Sequence, residues 1–156
     1  MQKYRSAFSA ATSALLATLA LASPAYADRC DDLAGQPKGH IDGLSVGKTA
    51  ANVIYLAHPA AKQLRLGCAS RKVSNELLAT SDARKPRVEF LNLVAQASAL
   101  IFTVTLDDTL KGATRCIRRM GILRGDDIRM RFRRLDMHCT RTKTNATITI
   151  SRDKDV

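Results

Sequence analysis

Arg129, Arg131 and Arg133 fall at every second position and alternate with Ile128, Met130 and Phe132. On an extended strand, residues two apart share a face at roughly 6.6 Å spacing, so this pattern sets three guanidinium groups in a row behind an apolar face. A guanidinium grips a phosphate or carboxylate through two parallel N–H donors, which a lysine cannot do. With Arg134 next in line, the row is the strongest candidate for chemistry in the chain. That chemistry is capture of an oxyanion-bearing polymer or of an acidic protein surface. The competing explanation is a solvated outer face, or an edge strand charged against aggregation.

Other signatures fail on their surroundings. Gly43-Leu44-Ser45-Val46-Gly47 spells the G-x-S-x-G of a nucleophile elbow, but no strand-like run leads into Ser45 and the chain is too short for the sheet that motif needs. Gly47-Lys48-Thr49 ends like a phosphate-binding loop, yet Asp42 stands where its first glycine belongs. His40, His58 and His138 are the material for acid and base catalysis in a small secreted hydrolase, but no spacing brings them together. His138 and Cys139 are adjacent and C-x-x-C is absent, so neither a zinc site nor a dithiol redox centre is expected. No cofactor is implied. Asn145-Ala146-Thr147 matches a glycosylation sequon but reads more simply as turn chemistry.

Charge narrows the class of partner. The chain has 25 Lys and Arg against 14 Asp and Glu, a formal net charge of +11. From Lys111 to Val156 there are 13 basic and 5 acidic residues, so most of the excess lies in the last third. Near an anionic surface each such cation contributes about 1 kcal/mol, which gives weak to modest, salt-dependent binding. Base stacking wants aromatic platforms, and with 4 Phe, 3 Tyr and no Trp a sequence-specific reader of nucleic acid is not expected.

The N-terminus supplies an address. Lys3 and Arg5 precede a short apolar run from Ala14 to Ala22, and Ala25-Tyr26-Ala27 is a small-x-small cleavage site. This is the pattern of a secretory signal peptide over residues 1–27, with too few apolar residues to span a bilayer. The mature chain, residues 28–156, then suits a single domain in the periplasm or outside the cell, with no transmembrane segment. In that oxidising compartment Cys30, Cys68, Cys116 and Cys139 read as two disulfides. Of the three possible pairings we favour Cys30 with Cys68 and Cys116 with Cys139.

These residues need elements to hold them. Residues 28–43, rich in Asp, Gly and Lys, suit an irregular segment. Asn52 to Leu56 reads as a strand, as do the alternating Leu64, Leu66 and Cys68, with a weaker third strand from Lys72 to Thr80. Beyond Pro86, the polar stripe Glu89, Asn92 and Gln96 on an apolar background predicts a mostly buried helix. Thr105 and Asp108 form a capping pattern for a second helix, whose stripe of Leu110, Ala113, Ile117 and Met120 ends at Gly121. Arg115, Arg118 and Arg119 then fall in its last turn, where the helix dipole favours cations by about 0.3–1 kcal/mol each. After the turn at 125–127 comes the arginine strand. Arg134 breaks its phase, and a β-bulge near Arg133 and Arg134 would restore it before Leu135, Met137 and Cys139. Ala146, Ile148 and Ile150 return as the second arm of a hairpin.

The expected fold is therefore α+β: a small disulfide-stapled domain, mainly antiparallel sheet, with two consecutive helices on one face and a C-terminal β-hairpin. The expected function is a non-catalytic envelope protein that binds an anionic partner through Arg129, Arg131, Arg133 and Arg134. That partner is lipopolysaccharide phosphate, a cell-wall polymer or an acidic protein. The alternatives are a periplasmic protein-interaction or inhibitor module whose basic face only meets solvent, and a small secreted hydrolase.

Overall fold

A computed structural model describes residues 25–69 and 74–152. The expected signal peptide up to residue 24, and residues 70–73, which include the first two positions of the weak third strand, lie outside the described residues. Where the sequence read as irregular, the chain forms a helix, α1 (Ala25–His40), running through to the turn before Leu44. Among the residues whose burial is described, Cys30, Ala34 and Pro37 are its buried ones, and Ile41 just past its end continues the same helical spacing. Pro37 is tolerated near the C-terminal end, where its own carbonyl still accepts from the Ile41 N–H at 2.9 Å.

An antiparallel meander follows: β1 (Ser45–Ala50), β2 (Val53–Ala57), β3 (Gln63–Gly67) and β4 (Glu76–Ser81). No residue pattern announces β1, whose residues are all exposed and show no apolar alternation. Its two-residue link to β2, Ala51 and Asn52, has φ of 49° and 62°, the left-handed pair that tight hairpins favour. In β2 to β4, Ile54, Leu56, Leu64, Leu66, Leu77 and Ala79 face one side and are buried there.

Two helices then cross that inner face. In α2 (Val88–Phe102), Glu89, Asn92 and Gln96 are exposed as the stripe predicts, while Phe90, Leu93, Val94 and Ala97 are buried. The helix ends at Thr103, in the left-handed conformation with φ 51°. In α3 (Leu106–Arg119), the Thr105 hydroxyl accepts from the Asp108 N–H at 3.2 Å, so the expected cap is made. The buried Thr109 hydroxyl donates to the Ala95 carbonyl at 3.0 Å and ties α3 to α2.

The sheet is completed by β5 (Asp127–Phe132), β6 (Leu135–Arg141) and β7 (Ala146–Arg152), which return so that β7 pairs with β4. The result is a seven-stranded antiparallel sheet in the order β1-β2-β3-β4-β7-β6-β5. The expected α+β class holds, with three helices among the described residues rather than two. Both expected disulfides are present: Cys30–Cys68 ties α1 to the end of β3, and Cys116–Cys139 ties α3 to β6. Among the described residues no helix is long and apolar enough to cross a membrane.

Candidate functional site: two arginine-bearing surfaces

The expected bulge at Arg133 and Arg134 is a turn. Phe132 pairs with Leu135, so these two arginines are the whole loop between β5 and β6. A two-residue reversal moves the apolar phase by the same single position as a bulge, and sequence alone does not separate them. It also places Leu135, Met137 and Cys139 beside Ile128 and Met130 on the inner face of a neighbouring strand. Arg133 takes φ 59°, the left-handed region that the first position of such a turn demands.

The row of three is accordingly a pair. Arg129 and Arg131 are exposed on the outer face of the edge strand β5, whereas Arg133, in the turn, reaches Asp108 at the start of α3, with Nε 3.3 Å from Oδ1. Arg134 is exposed beside it.

Register decides what the outer pair meets. Arg131 stands opposite Asp136 on β6, which stands opposite Ser151 on β7, which stands opposite Glu76 on β4. One step along, Arg129 faces His138 and then Thr149. His138 lies 2.9 Å from Asp127 through its Nε2. A shallow depression of about 540 Å³ lies here, and its lining includes Arg129, Arg131 and His138 together with Glu76 and Asp136. Thr149 and Ser151 bring hydroxyls to this face, but its cations share it with carboxylates. A polyanion would meet both.

The second surface is the groove between α3 and β5. It has a volume of about 680 Å³ and is lined by Leu110, Lys111, Thr114, Arg115, Arg118, Arg119 and Phe132. Lys111, Thr114, Arg115 and Arg118 follow the i, i+3, i+4, i+7 rule, so they form one flank of α3. Phe132 is half-buried: one side packs on the core and the other lies under the Arg115 guanidinium, 5.9 Å from the ring centroid. Gly112 permits this approach. A Cβ at that position would come within 2.5 Å of Met137 Cε and 3.0 Å of Phe132 Cδ1.

No carboxylate lines this groove. Lys111 pairs with Asp107 one turn back at 2.6 Å, and that hydrogen bond raises its pKa, so it stays charged well above neutrality. The helix dipole accounts for Arg118 and Arg119 in the last turn, but not for Arg115 a turn earlier. Stacking Lys111, Arg115 and Arg119 at i, i+4 spacing costs about 0.2–0.5 kcal/mol per like-charge pair. From sequence alone the helix dipole is sufficient reason for Arg115, Arg118 and Arg119, which hides the groove they line. The signal that would have found them is the 111, 114, 115, 118 spacing, the complement of the apolar stripe.

Other arginines have structural duties. Arg141 donates to the Ile117 carbonyl at 3.3 Å and Arg152 donates to the Phe102 carbonyl, closing the C-terminal ends of α3 and α2. Arg84 makes two hydrogen bonds to Asp126, at 3.0 and 3.1 Å, and a third to the Thr142 carbonyl at 2.6 Å.

The remaining sequence motifs fall apart in space. Ser45 opens an edge strand, its hydroxyl 3.4 Å from the Ala57 carbonyl, with no strand–turn–helix around it. His58 accepts from the Ala60 N–H at Nδ1 and donates from Nε2 to the Asp42 carbonyl, a clip between two loops. His40 bonds the Gln36 carbonyl at the end of α1. The three histidines thus stand on separate elements. Among the described residues no group of three metal-ligating side chains converges.

No family model matches this chain, and no curated protein or solved structure matches it at a significant level. The fold and the two surfaces define a disulfide-stapled α+β domain with a basic edge.

Proposed function

We propose that the protein is a non-catalytic exported envelope protein that binds an anionic partner, and that the α3–β5 groove is where it does so. One observation carries this reading: Arg115, Arg118 and Arg119 border a half-apolar groove that no carboxylate lines. Arg129 and Arg131, the pair that the spacing singles out, serve mainly to keep an edge strand soluble, because Asp136 and Glu76 share their face. Export is supported by the leader-like N-terminus and by two disulfides, which persist in oxidising compartments.

The groove suits phosphate or carboxylate groups on a chain or surface. Guanidinium forks supply paired donors, while Phe132 and Leu110 offer apolar contact to whatever carries the charge. Titration of the oxidised protein with polyphosphate, lipopolysaccharide and uncharged dextran across a salt series tests the reading. The two anions should bind, with log affinity falling linearly in log salt, and dextran should not. Absence of anion binding, or binding indifferent to salt, would overturn it.

A further inference from the structure

Between α3 and β5 the chain forms a closed turn, Gly121-Ile122-Leu123-Arg124-Gly125. The Gly125 N–H donates to the Gly121 carbonyl at 2.8 Å, and the Gly121 N–H donates to the Gly125 carbonyl at 3.1 Å. Gly125 has φ +74°, a conformation that costs glycine nothing. Both feet of the turn are fixed. Met120 is buried, and Asp126 is held by Arg84 through its side chain and by the Arg141 N–H through its carbonyl. At the tip, Ile122 and Leu123 have relative exposures of 104% and 98%, so neither touches the rest of the protein appreciably. Arg118 and Arg119 precede them in the last turn of α3, and Arg124 follows directly.

Two bare aliphatic side chains on a pinned, projecting turn, collared by three exposed arginines, match the layered chemistry of an anionic bilayer. Acyl chains lie below and phosphates lie at the level of the collar. The geometry points to membrane docking: Ile122 and Leu123 enter the leaflet while Arg118, Arg119 and Arg124 meet the phosphates of anionic lipids. This rests on the reading of the α3–β5 edge as an anion site and names the source of the anion. A protein partner is the poorer match, since a convex tip offers little of the roughly 800 Å² per side that a stable protein interface uses, whereas a fluid leaflet closes around a point.

The chain contains no tryptophan, so Leu123→Trp places a unique reporter at the tip, and Tyr55→Trp, on the outer face of β2, serves as control. With phosphatidylglycerol vesicles, Leu123→Trp emission should move to shorter wavelength and be quenched by acyl-brominated lipid. Tyr55→Trp should do neither. Adding Arg118→Ala, Arg119→Ala and Arg124→Ala to the reporter should weaken vesicle binding roughly 100-fold, at about fivefold per cation removed. A tip that stays in water before these vesicles, while the protein still binds polyphosphate, would overturn membrane docking and leave the anion site standing. Equal insertion into neutral phosphatidylcholine, unaffected by the arginine changes and without polyphosphate binding, would overturn both. Burial of the tip by an acidic protein but not by vesicles would overturn docking in favour of a protein interface.

Discussion

The outer face of the sheet and the α3–β5 edge each carry exposed arginines, and they differ in what stands opposite. On the sheet face Arg131 pairs in register with Asp136, and Glu76 lies on the same cross-strand row. At the edge, Arg115, Arg118 and Arg119 line a groove with Leu110 and Phe132 and no carboxylate. Local counter-charge, not the number of arginines, distinguishes the two surfaces and is the ground for proposing the anion site at the edge. Exposed pairs gain little from one another, about 0–1 kcal/mol, but an adjacent carboxylate repels the anion that the arginine attracts.

The largest expected effects concern the two disulfides, only one of which braces the groove. Replacing Cys116 and Cys139 with serine removes the tie between α3 and β6. It should lower stability to urea by about 3 kcal/mol in the chain-entropy account, and weaken polyanion binding by loosening the groove wall. Replacing Cys30 and Cys68, which join α1 to the end of β3, should cost about 3–4 kcal/mol and leave polyanion affinity alone when measured under native conditions. Equal effects of the two pairs on affinity would break the comparison.

Next in size, Arg115→Ala with Arg118→Ala and Arg119→Ala should weaken polyphosphate binding by about 2–3 kcal/mol and flatten its salt slope, read by calorimetry across ionic strength. Thr105→Ala removes the cap of α3, costing about 1 kcal/mol in thermal or urea unfolding without a change in affinity. Smallest is Arg129→Ala with Arg131→Ala, expected to change polyphosphate affinity by less than about 0.5 kcal/mol. Asp136→Asn with Glu76→Gln sharpens the contrast, since it should make the sheet face a second, weaker polyanion site.

Much of this architecture is legible in the residues. A β-favouring run marks β2; alternation marks β3 and the arms around the arginines; a polar stripe marks α2; Thr105 and Asp108 mark the start of α3; and of the three pairings four cysteines allow, the favoured one is made. What escaped did so for physical reasons. The buried line of α1 is made of Cys30, Ala34 and Pro37, continued by Ile41 just past its end, while Gly35, Pro37 and Gly39 are poor helix formers, so packing and a disulfide override propensity. Strand β1 is held by backbone pairing to β2 and buries no side chain. The turn at Arg133 mimics a bulge, and only register reveals Asp136 and Glu76 across from the arginines. At the groove, Arg118 and Arg119 satisfy the helix dipole, which concealed their second setting beside Phe132.

The location of the anion is the central claim, and amide chemical-shift mapping during polyphosphate titration addresses it most directly. The account predicts shifts concentrated over residues 110–119, at Arg124 and at Phe132, with the outer face nearly unmoved. Shifts centred on Arg129, Arg131, His138 and Thr149, with α3 silent, would contradict it and return the site to the arginine strand.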